Sequence, residues 1–226
     1  MGKGLVVGLV ALGLVGVGAY VADGFARDSA EDSAAVLLSQ RLQVDGTPDV
    51  RIDGFPFFPQ LLARSLDDVR VSARGVELEG VEVTDVVVDA TDVSLDQPYQ
   101  VGTLRLEATV PTSTVEQVVA DRVPVDVAVD GGMLRASGEI LGIPLSAGLV
   151  PRVVDGRLQV DVQDVTLGTG ELRLEDLPGD VAERLVGIEV PLDGLPAGIV
   201  LEQAVVVPDG VRVTASGTDV DLERLP

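Results

Sequence analysis

A chain of 226 residues with 37 acidic against 16 basic side chains, formal charge −21, is a poor partner for nucleic acid, whose phosphates need clustered Lys and Arg. It has neither cysteine nor histidine, which excludes disulfides, thiolate chemistry and zinc–thiolate sites, along with the commonest general base and the usual serine-triad partner. With 46% hydrophobic and 23% charged residues the composition is that of a folded protein long enough to bury a sizeable core.

The chain opens on an uncharged run, Gly4 to Ala22 (GLVVGLVALGLVGVGAYVA). As a helix this run spans about 28 Å, close to the thickness of a bilayer's hydrocarbon core. Lys3 precedes it and Asp23 follows, so the positive-inside rule places the remainder outside the cytoplasm. Residues 1–22 are expected to form a membrane anchor or uncleaved signal segment. The alternative is a cleaved signal peptide, against which stand the length of the run and the lack of an A-x-A site. Gly4 and Gly8 have helix-dimer spacing, which a glycine-rich chain also supplies by chance. Lys3 is the sole lysine, and the Val, Ala, Gly and Asp bias resembles that of a GC-rich bacterial proteome.

Residues 30–42 (AEDSAAVLLSQRL) place Ala30, Ala34, Leu37, Leu38 and Arg41 at three-and-four spacing, which predicts an amphipathic helix. A short strand follows near Val50–Ile52, then GFPFFPQLL (54–62), where Pro59 is placed to open a helical turn over Gln60–Arg64. From Val69 onward a two-residue period predicts strands, as in VPVDVAVD (123–130), LRASGEI (134–140) and GRLQVDV (156–162). Asp130-Gly131-Gly132, Asp155-Gly156 and Pro208-Asp209-Gly210 are hairpin signals and imply antiparallel neighbours. Two further helices are expected: one after a capping box, Ser113-x-x-Glu116, and one over GDVAERLVG (179–187), opened by Pro178. Regular strand–helix alternation is missing, which argues against a doubly wound parallel sheet.

A short pattern recurs: TDVVV (84–88), TDVSL (91–95), QDVTL (163–167) and TDVDL (218–222). In each, apolar alternation meets two adjacent polar residues and resumes out of phase, as a β-bulge would allow. Chance in a Val- and Asp-rich chain is the competing account. The run Val81–Leu95 has no Gly or Pro and as one strand would reach roughly 50 Å.

Catalytic signatures are missing. Asp67-Asp68 and Glu31-Asp32 are adjacent acids that point apart on a regular element. No D-x-D-x-D-G calcium loop, phosphate-cradling glycine loop or G-x-S-x-G elbow occurs. No metal site, cofactor or catalytic residue is assigned, and the chain is read as non-enzymatic. Three of its four Phe lie in the Pro-boxed corner (Phe55, Phe57, Phe58). One reading makes this corner a core plug. The other makes it an apolar lip for acyl chains, extended by Leu61, Leu62 and Leu66, with Arg51 or Arg64 meeting a phosphate head group.

The stretch from Arg51 to Leu95 resembles the LmeA-like phospholipid-binding family of actinobacterial cell-envelope proteins. The I-x-G-F-P-F core at Ile52–Phe57, the Leu-rich turn and the V-x-V…G-V strands after it carry the likeness, while Phe58-Pro59 departs from it. The resemblance implies an extracytoplasmic, membrane-associated protein that binds phospholipid and supports assembly of lipid-linked envelope glycans. Phosphatidylinositol-type lipids and their glycosylated forms are among the candidate partners.

The expected architecture is α+β. A long, curved, mainly antiparallel sheet carries helices on or inside its concave face, in analogy with tubular BPI-like lipid binders, over a single domain at residues 23–226. The expected function is non-catalytic phospholipid binding or transfer at the outer face of the cytoplasmic membrane. A membrane-anchored scaffold for envelope biosynthesis enzymes is the alternative, and a carboxylate-dependent glycolipid hydrolase a third.

Overall fold

The first helix is longer than its sequence suggests. In a computed structural model of the chain, α1 runs from Gly2 to Arg41, uniting the apolar run and the amphipathic segment in one element. The structure describes residues 2–78, 81–120, 125–140, 143–168, 170–172, 188–190 and 198–221. The helix expected over GDVAERLVG lies outside them. Side chains are described from Tyr20 onward, and among the residues so described no helix is long and apolar enough to cross a membrane, so the expected transmembrane span over residues 1–22 has no support here. On α1, Asp23, Ala26, Ala30, Ala34, Ala35 and Leu38 are buried or half-buried. Leu37, expected on that face, is exposed, because Ala35 takes the inward position instead.

After α1 come β1 (Gln43–Val44), β2 (Asp49–Asp53), α2 (Phe57–Ala63) and three long strands, β3 (Ser65–Leu78), β4 (Val81–Ser94) and β5 (Gln100–Pro111). Helix α3 (Thr112–Ala120) leads to β6 (Val125–Asp130), β7 (Met133–Ile140), β8 (Ile143–Val154) and β9 (Arg157–Leu167). The short β10 (Gly170–Leu172) and β11 (Ile188–Val190) precede the final hairpin of β12 (Ile199–Val207) and β13 (Gly210–Asp221). Among the described residues one sheet has the order β1-β3-β4-β5-β13-β12, with β2 also on β3. The other has the order β10-β9-β8-β7-β6, with β11 on β9. The pairings are antiparallel, as the Asp-Gly turns imply. Gly131 and Gly132 join β6 to β7 at φ 59° and 79°, and Asp155 and Gly156 join β8 to β9 at φ 51° and 74°, the left-handed pair that tight hairpins need.

The two sheets share a core. Val127 and Leu134 of the second sheet pack with Ala204 and Val211 of the first, and Val115 of α3 joins them. Helix α3 starts at Thr112, one residue before the expected cap. The Glu116 carboxylate accepts the Val127 N–H at 2.6 Å, tying α3 to β6 rather than closing a capping box.

The recurring Asp-Val pairs are structural. Asp85, Asp92, Asp164 and Asp219 all take left-handed backbone angles, φ between 48° and 53°, a conformation that Asp tolerates better than most side chains. Asp85 and Asp164 lie at register shifts, between β4 and β5 and between β8 and β9. Asp92 and Asp219 do not shift the register, and the reason lies in their neighbours. Thr91 and Val93 pair with Thr103 and Val101, and Thr103 and Val101 with Thr218 and Val220, so Asp92, Gly102 and Asp219 fall at one level across three strands. Asp67 of β3 falls at the same level. All four strands change phase together, so pairing survives while the inward face stays apolar on both sides of the line. Leu66 and Val69, three residues apart, pack into one cluster, and so do Val101 and Leu104.

The result is a sheet with two unlike faces. Val50, Val71, Val88, Leu106, Ala215 and Leu201 stand side by side across β2, β3, β4, β5, β13 and β12. The adjacent row on the opposite face reads Arg51, Arg70, Asp89, Arg105, Ser216. Arg70–Asp89, Arg105–Glu202 and Arg212–Glu107 pair there, exposed and each worth at most about 1 kcal/mol.

Candidate functional site

The Pro-boxed corner is built by contacts from both sides. Gly54 sits at φ 93°, and a Cβ there would lie 2.5 Å from Gln60 Nε2, so only glycine fits without displacing the Gln60 side chain. Gln60 is buried; its Oε1 accepts the Asp67 N–H at 3.0 Å, while its Nε2 lies 3.5 Å from the Asp53 and Pro56 carbonyls. Helix α2 begins at Phe57, earlier than the expected Gln60, so Pro59 sits within its first turn. The residue ahead of it, Pro56, offers no side-chain cap. Asp23 of α1 supplies one instead. Its carboxylate accepts the N–H groups of Phe57 at 2.9 Å and Phe58 at 2.8 Å, while Arg27 sits 3.7 Å from it and donates to the Gly54 carbonyl at 2.6 Å.

Burial by itself would raise the Asp23 pKa, but the two N–H donors, joined by Arg27, outweigh it and hold the carboxyl below its usual value. A depressed folded-state pKa contributes stability that is present above the unfolded value, about 3.9, and is lost as pH falls through the folded one. The expected result is that thermal unfolding of wild type loses more stability on acidification from neutrality than Asp23→Asn does. Parallel pH profiles for the two chains would show that Asp23 does not hold α1 to α2.

The eight residues singled out in the sequence separate into three groups. Phe57 and Leu66 are buried with Ile52, packed by Ala26 and Ala30 of α1 and by Val69 and Val93. Phe57 is only 1% exposed, so within the corner it is the core plug. Phe55, Phe58, Leu61 and Leu62 face outward, Leu62 being 84% exposed, and the ring of Phe55 lies 5.5 Å from that of Tyr20. Phe57 and Leu66 therefore drop out of the expected lip, which keeps Phe55, Phe58, Leu61 and Leu62, because the bend at Pro56 turns Phe55 out and the start of α2 turns Phe57 in. Arg51 belongs to the charged face and pairs with Asp49 at 3.2 Å. Arg64, the left-handed cap of α2, lies beside the lip and pairs with Asp96 at 2.6 Å.

A second apolar surface was not singled out in the sequence. On the inward face of the long strands, Val71 and Ala73 of β3, Val86 and Val88 of β4, and Leu104 and Leu106 of β5 are only half-buried, although β4 and β5 are interior strands. Packed clusters close the strip at either end. Ala90, Val101 and Val220 lie on the α2 side, and the core shared with the second sheet lies on the other. A single apolar alternation does not tell a filled core from an open one, so only the burial pattern locates this strip. Asp23 and Gln60 escaped the sequence reading for a different reason: their partners lie on other elements. Among the described residues no group of acids is placed to hold a metal ion.

Searches of curated proteins and of solved structures found no match to the chain. A family model described as LmeA-like phospholipid-binding matches residues 21–216, which take in the corner, the long strands and the final hairpin as far as Ser216. The chain belongs to the LmeA-like phospholipid-binding family.

Proposed function

We propose that this protein holds phospholipid without covalent chemistry, laying acyl chain along the half-open strip of β3, β4 and β5. The observation that carries the reading is the strip itself: side-by-side Val, Leu and Ala on interior strands, free of charge and incompletely covered. Each methylene buried there contributes about 0.8 kcal/mol, so eight would supply roughly 6 kcal/mol before ordering costs. That apolar term does not depend on the net charge of −21, which disfavours electrostatic adsorption to anionic lipid. The same reading places the protein at the outer face of the cytoplasmic membrane, held by the apolar run Gly4–Ala22, where lipid-linked envelope glycans are assembled.

The full-length chain, purified in one detergent and exchanged thoroughly into a second, is expected to retain phospholipid in stoichiometric amount by quantitative mass spectrometry. Val88→Trp and Leu106→Trp fill the strip. Displacing even two methylenes of acyl contact lowers retention roughly tenfold. Retention equal to wild type in the doubly substituted chain overturns the proposal.

A further inference from the structure

The strip is not the only apolar surface at this end of the molecule. Where β2 stops and β5 begins, the corner and α2 expose Phe55, Phe58, Leu61 and Leu62, with Tyr20 of α1 beside Phe55. Tyr99, in the connection between β4 and β5, is exposed as well. Single exposed hydrophobes are ordinary; a cluster of this kind from three elements marks a contact surface.

We propose that this cluster is a docking tip that sinks into the surface of a phospholipid bilayer, separate from the strip that holds lipid. The choice of a bilayer rests on the phospholipid reading and on three observations. First, α1 is continuous, and its N-terminal part extends about 30 Å past Asp23 as an unbroken helix carrying the uncharged Gly4–Ala22 run. The segment with the greatest affinity for hydrocarbon thus leaves the domain at the tip. Second, the Tyr20–Phe55 ring contact and the Asp23 bonds to α2 join helix and corner into one surface. A membrane that holds the helix, as the proposed function has it, therefore meets the tip. Third, the tip's composition is that of an interfacial anchor, with exposed aromatic and leucine side chains and with Arg64 neutralised by Asp96. A second copy of the chain or a partner protein would leave the exit of the apolar run through this end unexplained.

The chain has no cysteine, so one introduced cysteine is a unique labelling site. Leu62→Cys in the full-length chain, labelled with an environment-sensitive fluorophore and reconstituted into phosphatidylcholine vesicles, is expected to shift to the blue. Lipids brominated on their acyl chains should quench it several-fold. Asp209→Cys sits in the β12–β13 turn, beyond the far end of β5, roughly 35–40 Å away along the strands, and is expected to show neither effect. A Leu62 label that behaves like the Asp209 label overturns the tip. Lipid retention measured on the same samples separates the two readings: an unquenched label with lipid retained sinks the tip alone, and a quenched label with lipid lost sinks the strip alone.

Discussion

Phe57→Ala is expected to remove about 3–5 kcal/mol of unfolding free energy, the cost of emptying a buried aromatic site. The side chain is 1% exposed and packs among Ile52, Leu66, Ala26, Ala30, Val69 and Val93, drawn from a helix and three strands. Its loss loosens α1, α2 and the sheet at once. Phe58→Asp, one residue on, is expected to change stability by less than about 1 kcal/mol, because that ring is exposed. Denaturant unfolding of the two variants checks both. A Phe57→Ala chain as stable as Phe58→Asp would mean that the corner is not packed as described. The contrast also separates fold from surface: Phe58→Asp should weaken docking at the bilayer while leaving the domain intact.

The second large effect belongs to Gly102. A Cβ at this position would lie 2.9 Å from the Asp92 Cβ and 3.1 Å from its Oδ2, with Asp219 at the same level on the other side. Gly102→Val is expected to cost about 1–3 kcal/mol through overpacking in an interior strand. Asp92→Gly is expected to be near neutral, since relief of left-handed strain offsets the greater freedom of glycine in the unfolded chain. Combined, the two should recover much of the loss, giving a coupling energy that a double-mutant cycle reads directly. Strict additivity would show that the two positions do not touch.

Particular residues show what a linear reading reaches. The turn pairs Gly131-Gly132 and Asp155-Gly156 announced their hairpins because left-handed backbone leaves few residue choices. Asp85, Asp92, Asp164 and Asp219 were visible as breaks in alternation for the same reason, and their shared geometry rules out chance as the explanation of the repeat. Other features depend on partners far away in sequence. Whether Phe55 or Phe57 turns inward depends on the bend at Pro56 and on an acceptor 34 residues earlier. The split into two sheets and the half-open strip arise from how elements cover one another, which alternation does not encode. Glu116 fits a capping box as well as it fits the Val127 N–H, and only the fold decides between them.

The aligned phase change at Asp67, Asp92, Gly102 and Asp219 constrains how this chain can vary. Deleting Asp92 alone would leave β4 one residue out of step with β3 and β5, turning the valines on one side of the break toward water. Removing the whole line from all four strands would shorten the sheet by one residue and keep each inward face apolar. Length variation here is therefore a concerted event: single-residue gains and losses at this level are admissible together and disruptive one at a time.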